Sequence, residues 1–294
     1  MELIRLAARG MEALVQPRGA EIVSCKTAEG REILWQADPS VWNQHAPVLF
    51  PVCGNIRNKT LRIGGEPYQM TMHGFCRDAD FSTVRKGADF VELELRVSEE
   101  IRRMYPFDFV FRVIYVLGGN GYRTVFLVEN RSDRRMPFCV GGHPGFICPM
   151  EAGAGYEDYE LVFPEKEDGW NALVASGGFL DGGETLPCLR DTGKIPLKHA
   201  WFDEKDTLVL THLRSRGVKL INRCSGHGLR MDFPKMEVLA VWSMPGAGAD
   251  YVCLEPWHGI PDTADATGRF EDKPFATLLQ PGESWQGYFE VTLI

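Results

Sequence analysis

The feature that most constrains this chain is a period-two alternation of apolar and polar residues that recurs segment after segment. Over residues 90–97, Val91, Leu93 and Leu95 take one face of an extended chain and Glu92, Glu94 and Arg96 the other, the pattern of a half-buried strand. Comparable runs at 107–117, 122–130, 207–213, 218–222, 229–233, 238–243, 250–255 and 286–293 bring the expectation to at least nine strands. With 31 glycines and 18 prolines, turns are plentiful and few windows remain for a helix of about four turns. Most neighbouring runs lie two to eight residues apart, too close for the crossover that a parallel pair requires, so the pairing is antiparallel. Runs that are apolar on both faces, such as 238–242, need cover on both sides. The expected fold class is all-β, a large antiparallel β-sandwich with few short helices. The stretch 149–200, rich in Gly, Glu and Asp, reads as long loops with short hairpins. With no composition break, internal repeat or low-complexity tract, 1–294 reads as one domain.

Composition then narrows the function classes. Lys and Arg number 32 against 40 Asp and Glu, a formal charge of −8, so the basic footprint of a nucleic-acid or anionic-membrane partner is missing. A hydrophobic fraction of 44% is enough for a sizeable core and sets aside a disordered chain. Glu2, Arg5 and Arg9 interrupt the start before an apolar leader can develop. The most apolar stretch, 107–117, contains Asp108 and Arg112 and falls far short of the roughly 20 apolar residues of a membrane helix. A cytoplasmic, non-membrane protein is expected. The eight cysteines, at 25, 53, 76, 139, 148, 188, 224 and 253, form no CxxC pair. They read as small core hydrophobes in a reducing compartment, with no zinc or disulfide framework.

Chemistry is sought where polar residues interrupt the strands. No GxxxxGK[ST], HExxH or GxSxG occurs, and Gly153-Ala-Gly155 and Gly246-Ala-Gly248 lack the third glycine of a dinucleotide fingerprint and read as turns. Three polar knots remain: Thr71-Met-His73-Gly-Phe-Cys-Arg77, Gly141-Gly-His143-Pro-Gly-Phe146 and Cys253-Leu-Glu255-Pro-Trp257-His258-Gly259. Each sets an ionisable group beside Gly or Pro and an aromatic. Gly and Pro halt a ladder and free the side chain to project into a cleft, while Phe or Trp offers a flat surface to a sugar or another small ring. Two imidazoles and one carboxylate are also the minimum kit for paired acid and base catalysis. Taken singly, each has a plainer explanation: a histidine bonded in a turn, or a glutamate that ends a strand in solvent.

In this order, His-Gly-Phe-x-Arg at 73–77, Gly-His-Pro at 142–144 and Glu-Pro-Trp-x-Gly at 255–259 resemble the aldose 1-epimerase (galactose mutarotase-like) superfamily, in particular its LacX-like and hexose-phosphate epimerase-like branch. Ile33-Leu34-Trp35, Pro47–Pro51 leading into Gly54-Asn55-Ile56-Arg57, Phe202–Asp206 and Val241–Pro245 extend the resemblance over most of the chain. It implies a large antiparallel β-sandwich, with Glu255 as general base, His143 as general acid and His73 as the group that binds and polarises the sugar. The substrate-binding residues it implies are Arg77, Asp206, Arg57, Asn55 and Trp257, with Asp203 as the alternative to Asp206. Opening a cyclic aldose in this way needs no metal or other cofactor. The implied partner is a small sugar, with a homodimer left open. Two departures bear on fine specificity: Gly145 precedes Phe146 where the family usually has an aromatic directly after His-Pro, and the turn at 54–58 reads Gly-Asn-Ile-Arg-Asn.

The function expected is therefore interconversion of the α and β anomers of a hexose or related aldose. Arg57 and Arg77 also suit a hexose 6-phosphate, because guanidinium groups bind phosphate bidentately, unless Arg77 is spent on Asp78 or Asp80. A non-catalytic carbohydrate-binding protein would have no need of an acid opposite a base. A glycoside hydrolase would require a second carboxylate.

Overall fold

The computed structural model describes residues 2–167, 171–175, 178–181 and 189–294. Among them, two large antiparallel sheets carry most of the chain. One runs, in spatial order, Thr192–Pro196, Tyr159–Glu167, Gly217–Asn222, Gly228–Asp232, Ser284–Leu293, Gly121–Asn130, Phe109–Gly118, Phe90–Leu95 and Ser82–Lys86. The other runs Phe179–Asp181, Asn171–Ala175, Thr207–Leu210, Val238–Trp242, Tyr251–His258, Val140–Gly142 and Val48–Leu49, with Gly145–Ile147 also pairing with Tyr251–His258. A three-stranded sheet, Ile4–Ala8, Met11–Gln16 and Glu21–Lys26, and two short ribbons complete it. The helices are short, Glu99–Met104 and His199–Lys205, with a few single turns of 3₁₀ helix. None among the described residues is long and apolar enough to cross a membrane.

The alternation read from the sequence is what builds the core. Val91, Leu93 and Leu95 are buried on the inner face, where one apolar cluster gathers residues from both large sheets. The outer face of that strand is less open than its charges suggest. Glu92 is buried because Arg85 and Arg112 on the two flanking strands reach across to its carboxylate. The sequence shows those charges without showing that neighbouring strands bring them together.

The middle of the chain needs a correction. Within 149–200, Tyr159–Glu167 is a nine-residue strand inside the larger sheet. Its acidic residues hid it. Glu160 pairs with Lys194 on the adjacent strand, and buried Glu167 accepts the backbone N–H groups of Arg214 and Ser215. The cysteines mostly follow expectation, since Cys25, Cys53, Cys76, Cys139, Cys148 and Cys253 are buried. Cys224 is exposed, in the turn between Gly217–Asn222 and Gly228–Asp232. Cys188 and part of the 176–185 Gly-rich tract lie outside the described residues.

One buried ion pair ties the turn at 53–57 to the segment 262–273. Lys273 Nζ lies 2.5 Å from Asp262 Oδ1, and both side chains are almost wholly buried. The other carboxylate oxygen accepts the Arg57 N–H at 2.9 Å, while the Asp262 N–H donates to the Asn55 carbonyl at 2.8 Å. Lys273→Met leaves Asp262 buried without its counter-charge, which costs about 3–5 kcal/mol. Urea unfolding followed by circular dichroism measures it, and a loss of less than about 1 kcal/mol would show that the pair is not what holds this turn.

Candidate active site

The floor of the site is one face of the smaller sheet, and strand register determines which side chains reach it. Glu255 lies opposite Ala240, Cys253 opposite Trp242, and Trp242 opposite Thr207. Side chains alternate along each strand, so Thr207, Val209, Trp242, Cys253, Glu255 and Trp257 share one face, and all but Cys253 line a cavity of about 320 Å³. Ala240 keeps the space beside Glu255 open. Glycine at 141 does the same for Trp257, because a Cβ there would stand 2.5 Å from the indole Cδ1.

All eight residues of Tyr251–His258 are buried, and the strand continues through Pro256 where the sequence suggests it stops at Glu255. The Leu254 N–H donates to the Pro144 carbonyl. N–H directions alternate along a strand, so Pro256 would have donated toward the same side. There the pairs Val140–His258 and Gly145–Cys253 keep one register and set Pro256 opposite Gly142, so the proline leaves one ladder donor missing in a strand that is otherwise paired on both sides. The interruption at His143-Pro144, between Val140–Gly142 and Gly145–Ile147, aims His143 at Glu255, with Nε2 3.1 Å from Oε2.

His73 arrives from the other side of the cavity on a loop that only a special backbone allows. Its own φ is +65° and that of Gly74 is +79°. A Cβ at Gly74 would lie 2.0 Å from the Phe50 carbonyl oxygen, so this position is open to glycine alone. The Gly54 N–H donates to His73 Nδ1 at 3.0 Å. A neutral imidazole that accepts at Nδ1 carries its proton on Nε2, so His73 presents a donor to the cavity that it lines.

Burial sets the proton affinities. Glu255 is 1% exposed; desolvation pushes its carboxyl well above the usual carboxylate range, and the charge of Asp206 pushes the same way. Desolvation pushes His143 down to about 3, with Arg77 adding to the effect. His73 is likewise driven well down by desolvation, then by His143 and Arg77. Burial thus favours a neutral carboxylic acid facing a neutral imidazole, with Oε2 and Nε2 3.1 Å apart.

The structure brings most of the expected residues together. Glu255, His143, His73, Arg77, Asp206, Asn55 and Trp257 all line the cavity. Asp206 does so from a strained backbone, φ +61°, at the end of His199–Lys205. Its residue is exposed overall, yet the carboxyl is partly desolvated and raised. Asp203, the alternative, is spent on the Gly246 N–H at 2.7 Å. The nearest carboxylate to Arg77 is Asp78, at 3.8 Å and largely in solvent, whereas Asp80 pairs with Arg18. Arg57 is not among the cavity residues. Its exposed side chain donates to the Ala266 carbonyl, and its backbone N–H is held by Asp262. Residues not anticipated include Trp42, Gln44, Met72 and Met244. Met244, like Trp242, falls in a segment that carries the family resemblance, a signal that was present. Trp42 stands in an irregular stretch with no pattern around it.

Among the described residues, His143, Cys253 and Glu255 place one nitrogen, one sulfur and one oxygen within 4.8 Å of one another. Burial and the neighbouring Glu255 push the Cys253 thiol well up, so a cation there would first have to displace a tightly held proton.

This geometry can be set beside known proteins. A family model for aldose 1-epimerase matches residues 2–292. The chromosomal and plasmid LacX proteins of Lactococcus lactis subsp. lactis are each 34% identical over 283 residues, 94% of both chains. A galactose mutarotase related enzyme from Lactobacillus acidophilus superposes with a TM-score of 0.92 at 32% identity, over 100% of this chain and 97% of that one. A galactose mutarotase-like protein from Lactobacillus casei gives 0.93 at 28%, over the whole of both chains. The chain belongs to the aldose 1-epimerase family, and its mostly β, galactose mutarotase-like fold is the family's.

The charge of Asp206 is part of what raises Glu255. Asp206→Asn therefore lowers the pKa of the Glu255 carboxyl, and Asp203→Asn leaves it in place. Titration of the ¹³C carboxyl resonance of Glu255 reads this directly; equal values in wild type and Asp206→Asn would show that desolvation acts alone.

Proposed function

We propose that the protein is an aldose 1-epimerase that interconverts the α and β anomers of a free hexose or related aldose. The observation that carries this is Glu255 facing His143 across 3.1 Å at the floor of a cavity large enough for one sugar ring. Ring opening needs a proton taken from the anomeric hydroxyl while another is delivered to the ring oxygen. Rotation about C1–C2 and reclosure then give the other anomer. Burial leaves the pair's single proton on Glu255, and its transfer to His143 as the polar sugar enters creates the required carboxylate and imidazolium. Either group acts as acid in one direction and base in the other, so one proton passed between them serves both. His73, with its Nε2–H, holds and polarises a sugar oxygen. Asp206 accepts from sugar hydroxyls, and Trp257 walls the ring.

Polarimetry on a panel of aldoses tests this. Glu255→Gln keeps the shape and loses the proton acceptor, so turnover falls about 10²–10⁴-fold while sugar binding persists. Near-wild-type turnover in that variant would remove Glu255 from the mechanism.

A second reading, a hexose 6-phosphate 1-epimerase, is favoured by one observation: Arg77 lines the cavity, and its carboxylate neighbour Asp78 stands 3.8 Å from Nε and largely in solvent. If it holds a phosphate, Arg77→Ala weakens use of the 6-phosphate and spares the free sugar. Arg57→Ala, outside the cavity, alters neither. Equal losses on both sugars in Arg77→Ala would assign Arg77 to hydroxyl binding and leave the free aldose as the substrate.

A further inference from the structure

Proton transfer at the cavity floor requires the sugar ring to be held in one orientation against His143. Hydrogen bonds do this at little net gain, because each replaces one to water. A pyranose also has C–H faces, and these suit an aromatic surface.

Trp42 offers such a surface. Its segment, 36–47, contains no strand, yet it is pinned from several sides. The Trp42 N–H donates to the Asp38 carbonyl (2.9 Å), and Trp35 Nε1 donates to the Trp42 carbonyl (2.8 Å). The Glu21 carboxylate accepts the N–H groups of His45 and Ala46 at 2.7 and 2.8 Å, and the His143 N–H donates to the Pro47 carbonyl at 3.0 Å.

The indole is fixed as firmly as the backbone. It stacks on Tyr251, centroids 5.6 Å apart and planes within 8°, with Trp35 stacked on Tyr251 in turn at 4.5 Å. It meets Trp242 edge-on at 5.4 Å. Glycine at 145 lets it approach, since a Cβ there would stand 2.9 Å from its six-membered ring. The indole is only half-buried, lines the cavity, and lies 5.0 Å from the His143 imidazole. An ordered, partly uncovered aromatic surface therefore adjoins the group that delivers a proton to the ring oxygen.

Resting on the epimerase reading, we propose that Trp42 is a substrate-contacting residue, the platform that seats the C–H face of a closed pyranose and so places its ring oxygen beside His143. The ligand class it selects is a six-membered aldose ring with adjacent C–H bonds on one unobstructed face. The open-chain form, which presents no such face, is held less well and is free to rotate about C1–C2.

Steady-state polarimetry on wild type, Trp42→Leu and Trp42→Phe tests the proposal. Leucine keeps apolar bulk without a π face and raises KM about 3- to 10-fold, with kcat changed less than about twofold. Phenylalanine restores most of the affinity. Saturating sugar also changes the intrinsic fluorescence of wild type, and Trp42→Phe loses much of that change. Wild-type KM in Trp42→Leu, losses of equal size in the Leu and Phe variants, or an undiminished fluorescence change in Trp42→Phe would each overturn the platform. Turnover by wild type stands apart from these ratios. A wild type that converts aldoses with a KM indifferent to Trp42 refutes this inference alone, whereas one that converts none refutes the epimerase reading beneath it.

Discussion

The contact on which the site depends is a carboxylic acid and an imidazole held 3.1 Å apart where water is nearly excluded. In water such a pair would exist as carboxylate and imidazolium, and neither would be poised to exchange a proton. Burial penalises both charges at once, raising one group and lowering the other, so the proton rests on Glu255 and not on His143. The fold can sustain that penalty because Glu255 sits in the middle of a fully buried strand with neighbours on both sides, where the backbone ladder rather than the carboxyl holds the position.

Small residues and interruptions do much of the placement. Ala240 opposite Glu255 puts a small side chain beside the carboxyl, and Gly141 opposite Trp257 makes room for the indole that lines the cavity. The interruption at His143-Pro144 turns an imidazole out of an otherwise regular strand, and the strand that carries Glu255 runs on through Pro256 because it is paired on both sides. On the far wall, His73 depends on the left-handed turn that glycine at 74 permits and on a backbone N–H from Gly54 that fixes its tautomer. The Gly54 turn is held in place by the buried Asp262–Lys273 pair, so stability of the turn and orientation of a site imidazole are linked.

The cavity is electrically divided. Arg77 contributes fixed positive charge that lowers both histidines, while Asp206 contributes negative charge that raises Glu255. A neutral polyol can satisfy both with hydroxyl groups, and an anionic sugar would engage the arginine directly. Trp42, Trp242 and Trp257 line the same cavity, and under the proposed function they would face the ring that both sugars share.

The sequence by itself determined the layers and most of the chemistry. Alternation in segments such as 90–97, with glycine and proline between them, dictates antiparallel sheets because local side-chain direction in a strand follows from covalent geometry alone. The three knots around His73, His143 and Glu255 were legible because ionisable residues next to Gly, Pro and aromatics stand out in such surroundings. What depends on pairing between distant segments was not. The strand at Tyr159–Glu167 looked polar because its partners, Lys194 and the N–H groups of Arg214 and Ser215, come from elsewhere in the chain. Arg57 and Arg77 look equivalent in sequence, but Asp262 ties the backbone at Arg57 while the turn at 76–78 directs Arg77 inward. Asp203 and Asp206 differ only by where the helix His199–Lys205 ends. Trp42 carries no local signal, because its neighbours His143, Trp242 and Tyr251 lie about 100 to 200 residues away. Tertiary structure alone decided these, since burial and proximity are properties of the packed chain and not of any segment in it.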